Sequence, residues 1–256
     1  MEPVSRVQIE HFQRQGFFLI PNPLGAENMR AVDRVQQDIA GEWECREWPA
    51  GFNRLACQFF MVGEQLLQLV ENPHLLDMAR RILDCGQVHI GACGIGDASK
   101  VVAEDGRAQR QVHWHADGGP EVHQVSLRTA LDRHDPTNAP LRVLPGSHRR
   151  PRQEIEEELL QLELASGQHD ELPDLCFARH AHEVEVQLDP RWRLVWTPSC
   201  WHATGVKTAA GPRRAMSWNY FPPGGRKRDA EALKYVFADV WQGWSDARKA
   251  LWGLID

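Results

Sequence analysis

The chain has 256 residues, 42% of them hydrophobic, with 29 Lys and Arg against 35 Asp and Glu for a formal net charge of −6. That length buries a sizeable core in one domain without disulfide support, and the acidic balance, with its Lys and Arg scattered, excludes the basic footprint of a nucleic-acid binder. The N-terminus Met1-Glu2-Pro3-Val4-Ser5-Arg6 carries no apolar leader and no segment approaches the ~18 apolar residues that cross a bilayer. The expectation is a cytoplasmic protein of one domain over residues 1–256, with neither a nucleic-acid nor a membrane partner. Six cysteines, Cys45, Cys57, Cys85, Cys93, Cys176 and Cys200, lie far apart with no C-x-x-C, which reads as reduced, buried thiols.

Ser5 is placed to cap a short helix in which Ile9 and Phe12 share a face, and Gly16 stops it before the apolar run Phe17-Phe18-Leu19-Ile20. Met29, Val32, Val35 and Ile39 recur at helical spacing, so residues 26–40 are expected as an amphipathic helix. The stretch from Trp43 to Phe60 shows no period and reads as irregular or poorly paired strand. Asn72-Pro73 opens a helix carrying Leu75, Leu76, Ala79, Ile82 and Leu83, with Gly86 as its expected end. Val88, Ile90 and Ala92 then alternate as a strand, with His89 a structural histidine, and the glycine-rich, charged residues 94–110 read as a lid loop.

Strands follow at Val125 to Leu131 and Leu141 to Leu144, the second closed by Pro145-Gly146-Ser147-His148. Residues 154–165 read as an inserted helix with a solvated acidic face, and Ser166 to Asp174 as a surface loop. Further strands are expected at 184–188, 193–196 and 215–221, and a C-terminal helix over about 229–254, where Leu233, Val236, Phe237, Val240, Trp241 and Trp244 pack outside the sheets. Short strands separated by turns indicate a β-sandwich or barrel rather than a parallel α/β sheet. The layout is N-terminal helices over about 1–86, a mainly β core over about 87–225, and the C-terminal helix.

The chemistry concentrates in Gln111-Val112-His113-Trp114-His115-Ala116-Asp117-Gly118-Gly119. On an extended strand His115 and Asp117 point to one face. An imidazole and a carboxylate become a 2-His-1-carboxylate facial triad once a second histidine arrives, and His202, in Pro198-Ser199-Cys200-Trp201-His202-Ala203-Thr204-Gly205, is the candidate. His113/His115 and His180/His182 also form H-x-H pairs of the kind cupins use, but Glu121 follows His115 with five residues between, wider than a cupin needs.

Four features now stand in order: His115-x-Asp117, Pro145-Gly146-Ser147-His148, His202-Ala203-Thr204-Gly205, and Arg213-Arg214-Ala215 entering a strand. This arrangement resembles the phytanoyl-CoA dioxygenase family of iron(II) and 2-oxoglutarate dependent oxygenases. Ile9 to Pro21 is similar to the family's opening helix and strand, and Thr129-Ala130-Leu131-Asp132 through His148 to its central signature. The resemblance implies a double-stranded β-helix, or jelly-roll, with flanking helices. It also implies Fe(II), 2-oxoglutarate and O2 as cofactor and cosubstrates, with release of succinate and CO2. His115, Asp117 and His202 become the metal ligands, and Arg213, eleven positions after His202, the anchor of the distal 2-oxoglutarate carboxylate, assisted by Thr204.

Two positions depart from the family pattern. Arg128 stands where many members carry tryptophan, and is assigned to 2-oxoglutarate or to an anionic substrate group. Gln111 lies four before His115 where many members place glutamine three before, which puts His113 on the ligand face. The intact Asp117 disfavours halogenation, which needs a small residue there. Trp114, Trp218 and the 94–110 loop are expected to shape a pocket for a small molecule, most naturally a secondary metabolite, that is hydroxylated, cyclised or desaturated. The alternative is a cupin-like metal-binding jelly-roll, an isomerase or sensor without oxygenase chemistry. The oligomeric state is left open.

Overall fold

The computed structural model describes residues 3–22, 24, 29–30, 32–34, 37, 53–97, 113–117, 123–167, 175–224 and 229–255. Its elements are α1 (Arg6–Gln15), β1 (Phe17–Pro21), α2 (Arg54–Met61), α3 (Glu64–Val70), α4 (Pro73–Leu83), β2 (His89–Asp97), β3 (Val125–Ala130), β4 (Leu141–Val143), α5 (Arg152–Ser166), β5 (Val184–Val186), β6 (Trp192–Trp196), β7 (His202–Thr204), β8 (Arg214–Phe221), α6 (Ala230–Phe237) and α7 (Asp246–Leu251). A five-stranded sheet runs β1-β6-β3-β8-β2 and a three-stranded sheet β5-β4-β7, and every pairing is antiparallel.

Strand alternation sorts side chains into layers. On the large sheet Val125 and Leu127 of β3, Val195 of β6, and Met216, Trp218 and Tyr220 of β8 pack outward against Phe12, Phe59, Leu67, Leu75 and Leu233 of the helices. On the inner side Ala130, Leu194 and Trp196 meet Leu141, Val143 and Val186 of the small sheet. The register sets Ser126 opposite Trp196 and Asn219, and Arg128 opposite Leu194 and Ser217. Ser126 and Arg128 therefore share the inner face with Ala130.

The caps of α1 are those expected: Ser5 accepts from the Gln8 N–H in a capping box, and Gly16 closes the helix in the left-handed region. Asn72 caps α4 with Pro73 in its first turn. That helix ends before Gly86, because Asp84 adopts the left-handed conformation (φ 49°). Residues 54–61 form a helix rather than irregular strand. Asn53 accepts from the Leu55 N–H, and Ala56, Cys57, Phe59 and Phe60 are buried at helical spacing. Two buried phenylalanines contribute about 1.5–3 kcal/mol each, more than the few tenths that poor helix propensity costs.

β2 runs on to Asp97 through a bulge between Gly91 and Gly94, at which Ala92 takes φ 50°. The expected C-terminal helix is three pieces. α6 stops at Ala238 (φ 40°), a 3-10 turn spans Val240–Gly243, and Ser245 caps α7. Arg248 of α7 pairs with Glu64 and Glu71, and the Trp252 indole donates to the same Glu71, pinning the chain end to α3. The acidic face of α5 is not wholly solvated, since Glu163 is fully buried. Of the expected 26–40 helix, residues 29–30, 32–34 and 37 are helical. The remainder of that helix, residues 43–52, the 98–110 part of the lid, Gln111, the 118–120 turn and residues 168–174 lie outside the described residues.

Candidate metal centre and its cavity

His115 does not sit on a regular strand. It is held by a two-way backbone bridge to His202, with its N–H 3.0 Å from the His202 carbonyl and the His202 N–H 2.8 Å from the His115 carbonyl. Asp117 follows on a turn, its N–H 2.8 Å from the Pro198 carbonyl. The three side chains converge, with ligand atoms within 4.8 Å of one another, and no other cluster of this kind occurs among the described residues. His115 Nε2 is 3.9 Å from Asp117 Oδ1, and the two imidazole rings are 4.1 Å apart.

The tautomers follow from the backbone. His115 Nδ1 lies 2.8 Å from the His113 carbonyl and His202 Nδ1 lies 2.9 Å from the Cys200 carbonyl. A carbonyl only accepts, so each Nδ1 carries a proton, and Nε2 is the nitrogen each ring can offer to a metal. Burial, and then His115 beside it, lowers the His202 pKa to about 3, so this ring is neutral near pH 7. Two imidazole nitrogens and a carboxylate are a donor set that suits iron(II).

The motifs around His202 act as its buttress. Ser147 Oγ accepts from the Trp201 N–H at 2.8 Å and donates to the Leu144 carbonyl at 2.7 Å. His148 spans Cys200 Sγ (3.1 Å) and the Gln13 carbonyl (3.2 Å), so it is structural, as its place in the turn signature implied. Gly205 passes so close to Pro140 that a Cβ there would lie 2.7 Å from the proline ring. Behind His115, Trp114 is buried beneath the Arg142 guanidinium (4.7 Å) and donates to the Ala178 carbonyl. Arg142 donates to that carbonyl too and is paired with Glu183 at 2.7 Å. Glu163 of α5 accepts from the Phe177 and Ala178 N–H groups at 2.7 and 2.6 Å.

A cavity of about 380 Å³ opens on this centre, and all six residues selected from the sequence line it: His115, Asp117, His202, Thr204, Arg213 and Arg128. Arg213 is buried, with its Nε donating to the Ala139 carbonyl at 2.5 Å. Arg214 faces the other way, paired with Asp132 at 2.7 Å and with Asp33. Trp114 and Trp218 do not line the cavity; Trp218 lies in the outer core with Arg193 over its face. Trp196 was missed and is present, edge-on to His202 at 4.6 Å. Ser126, Ser217 and Asn219 were missed too, although each falls on the inner face once the β3–β8 register is known. His180 lies elsewhere, 3.7 Å from Glu158.

Residues 12–215 match the phytanoyl-CoA dioxygenase (PhyH) family. The chain belongs to that family. Among relatives, the ectoine dioxygenase of Bordetella bronchiseptica is 26% identical over 163 residues, covering 58% of this chain and 51% of its own. The chain thus spans about half the length of the curated relatives it matches. Among solved structures, EctD from S. alaskensis with bound Fe superposes with a TM-score of 0.63 at 19% identity, covering 88% of this chain and 79% of that one. The non-heme alpha ketoglutarate dependent carbocyclase SnoK from nogalamycin biosynthesis gives 0.59 at 19% identity, with 87% of each chain covered. Family and superpositions together identify the two facing sheets as the jelly-roll core, with helices flanking the larger sheet.

Proposed function

We propose that this PhyH-family chain is a single-domain iron(II) and 2-oxoglutarate dependent oxygenase, residues 1–256, that oxidises a C–H bond of a small molecule, most directly by hydroxylation, with release of succinate and CO2. The observation that carries it is the convergence of His115, His202 and Asp117 on one cavity whose other lining residues include Arg213 and Thr204. His115, Asp117 and His202 would hold iron(II), which would supply the redox chemistry of oxidation by 2-oxoglutarate and dioxygen. His202 and His115 present Nε2 because the Cys200 and His113 carbonyls hold Nδ1. The Arg213 guanidinium, with its Nε fixed on the Ala139 carbonyl, would pair with the distal carboxylate of 2-oxoglutarate, and Thr204, two residues from His202 on the same face of β7, would donate to it. Trp196 packs against His202 and helps to keep water from the reacting side.

The likeness to SnoK, a carbocyclase from nogalamycin biosynthesis, supports a secondary-metabolite substrate and admits ring closure or desaturation as the outcome. No helix among the described residues is long and apolar enough to cross a membrane, and the buried thiols of Cys57, Cys93 and Cys200 support a cytoplasmic setting. The test is iron-dependent conversion of 2-oxoglutarate to succinate by the purified chain. Arg213→Ala should raise the 2-oxoglutarate concentration needed by about tenfold or more, since it deletes the charge partner of that carboxylate. Iron binding without any succinate would instead support a cupin-like metal-binding protein.

A further inference from the structure

Arg128 occupies the inner face of β3, next to Ser126 and opposite Ser217 of β8, and lines the cavity. Its Nε is sealed from solvent and meets no acceptor among the described residues. Burial lowers its pKa to about 10. Among the described residues Arg142 is matched by Glu183, Arg214 by Asp132 and Arg248 by Glu71, while the buried Arg193, which has no carboxylate partner, donates to Thr129 Oγ1 and lies over the Trp218 ring. A buried cation without a counter-charge is costly, by several kcal/mol, and Arg128, unlike Arg193, lines a cavity through which an anion can reach it.

Charge counting says where that anion comes from. Among the described residues the cavity lining carries two guanidiniums, Arg128 and Arg213, against one carboxylate, Asp117. On the oxygenase reading, on which this inference rests, a divalent iron and the dianionic 2-oxoglutarate cancel. Asp117 offsets one guanidinium and one positive charge is left over. On that reading both carboxylates of 2-oxoglutarate would be taken, one at the metal and one at Arg213 and Thr204. The rest of the wall near Arg128 is neutral, and its hydrogen bonds are largely committed: Ser126 Oγ donates to Asn219 Oδ1 at 2.6 Å and Asn219 Nδ2 donates to Gln124 Oε1 at 2.7 Å. Among the described residues no acidic side chain other than Asp117 lines the cavity to receive a cationic substrate.

We propose that Arg128 is a specificity-determining residue that binds a carboxylate of the substrate, so that the enzyme acts on a small organic acid or on the acid end of a larger molecule. A planar guanidinium takes a carboxylate in bidentate fashion. A cavity of about 380 Å³, shared with the cosubstrate, admits only a compact acidic portion.

The test uses the full chain loaded anaerobically with iron(II) and 2-oxoglutarate, whose chelation gives a visible charge-transfer band, and titrates propionate against its neutral isostere propionamide. Propionate should perturb the band saturably and propionamide should not. Arg128→Gln should weaken the propionate response by about tenfold or more while the 2-oxoglutarate requirement stays within about threefold. Arg128→Lys, which keeps the charge, should keep the preference for propionate over propionamide. Without ligands Arg128→Gln should melt no lower than the unaltered chain, because it removes an unmatched buried charge. Equal responses to propionate and propionamide would overturn the proposal, as would a lower melting midpoint. A raised 2-oxoglutarate requirement in Arg128→Gln would also overturn it and give the residue to the cosubstrate. Absence of the band in the unaltered chain would overturn the oxygenase reading itself, and this inference with it.

Discussion

Ser147 shows how a residue outside the metal's reach governs the site. Its hydroxyl accepts from the Trp201 N–H, one residue before His202. Ser147→Ala should lower stability by about 1–2 kcal/mol, the cost of leaving a buried N–H unpaired. It should also weaken iron binding by about tenfold through loss of ligand orientation, read by chemical denaturation and by competition with a chelator. Residues of this kind were legible because motif order and spacing survive in one dimension. His115, Asp117, His202, Thr204, Arg128 and Arg213 all reach one cavity. Trp196, Ser126 and Asn219 were not legible, because whether a strand residue faces the metal depends on which strand it pairs with and in what register.

Helix α5 looks like a solvated decoration until Glu163 is placed. One carboxylate oxygen accepts two backbone N–H groups, from Phe177 and Ala178, and the Ala178 carbonyl in turn receives Trp114 and Arg142. The element thus braces the segment that carries His115. Glu163→Ala should cost about 2 kcal/mol or more, since it strands two sequestered donors. It should loosen iron binding while leaving the large sheet intact, which hydrogen exchange resolved by segment would report. Elements with explicit caps, such as α1 and α4, were readable from sequence because Ser5 and Asn72 announce themselves. Helix α2 was hidden by the aperiodic residues before it, with Pro49 and Gly51 drowning a two-turn pattern. The C-terminal stripe misled because helical spacing continues across the break at Ala238.

For the whole molecule, the site's electropositive interior links folding to pH. His134 is buried beside it, its Nε2 donating to the Arg214 carbonyl at 3.1 Å. Burial, then the charges of Arg128 and Arg213, lower its pKa to about 3. The unfolded chain binds that proton at its ordinary value of about 6.5, so between these limits the unfolded state holds more protons. Stability is therefore full above pH ~6.5 and falls as pH drops toward 3, by up to about 1.4 kcal/mol per pH unit for the group. Urea midpoints of the metal-free protein should be lower at pH 5 than at pH 7.5, and His134→Gln should flatten that slope. A midpoint independent of pH would contradict the placement of His134 in the interior. The layered fold was legible as sheets and flanking helices, but the face on which each helix packs was not, because the tertiary clusters join residues from both ends of the chain.

On the proposed function, His115, Asp117 and His202 bind one iron ion in a cavity that takes 2-oxoglutarate beside it. This is tested most directly by anaerobic addition of iron(II) and then 2-oxoglutarate to the metal-free protein, followed in the visible spectrum. The account predicts a weak charge-transfer band that saturates at one equivalent of iron and is lost in folded His202→Ala. A band of full strength in that variant, or none in the folded unaltered chain, would contradict it.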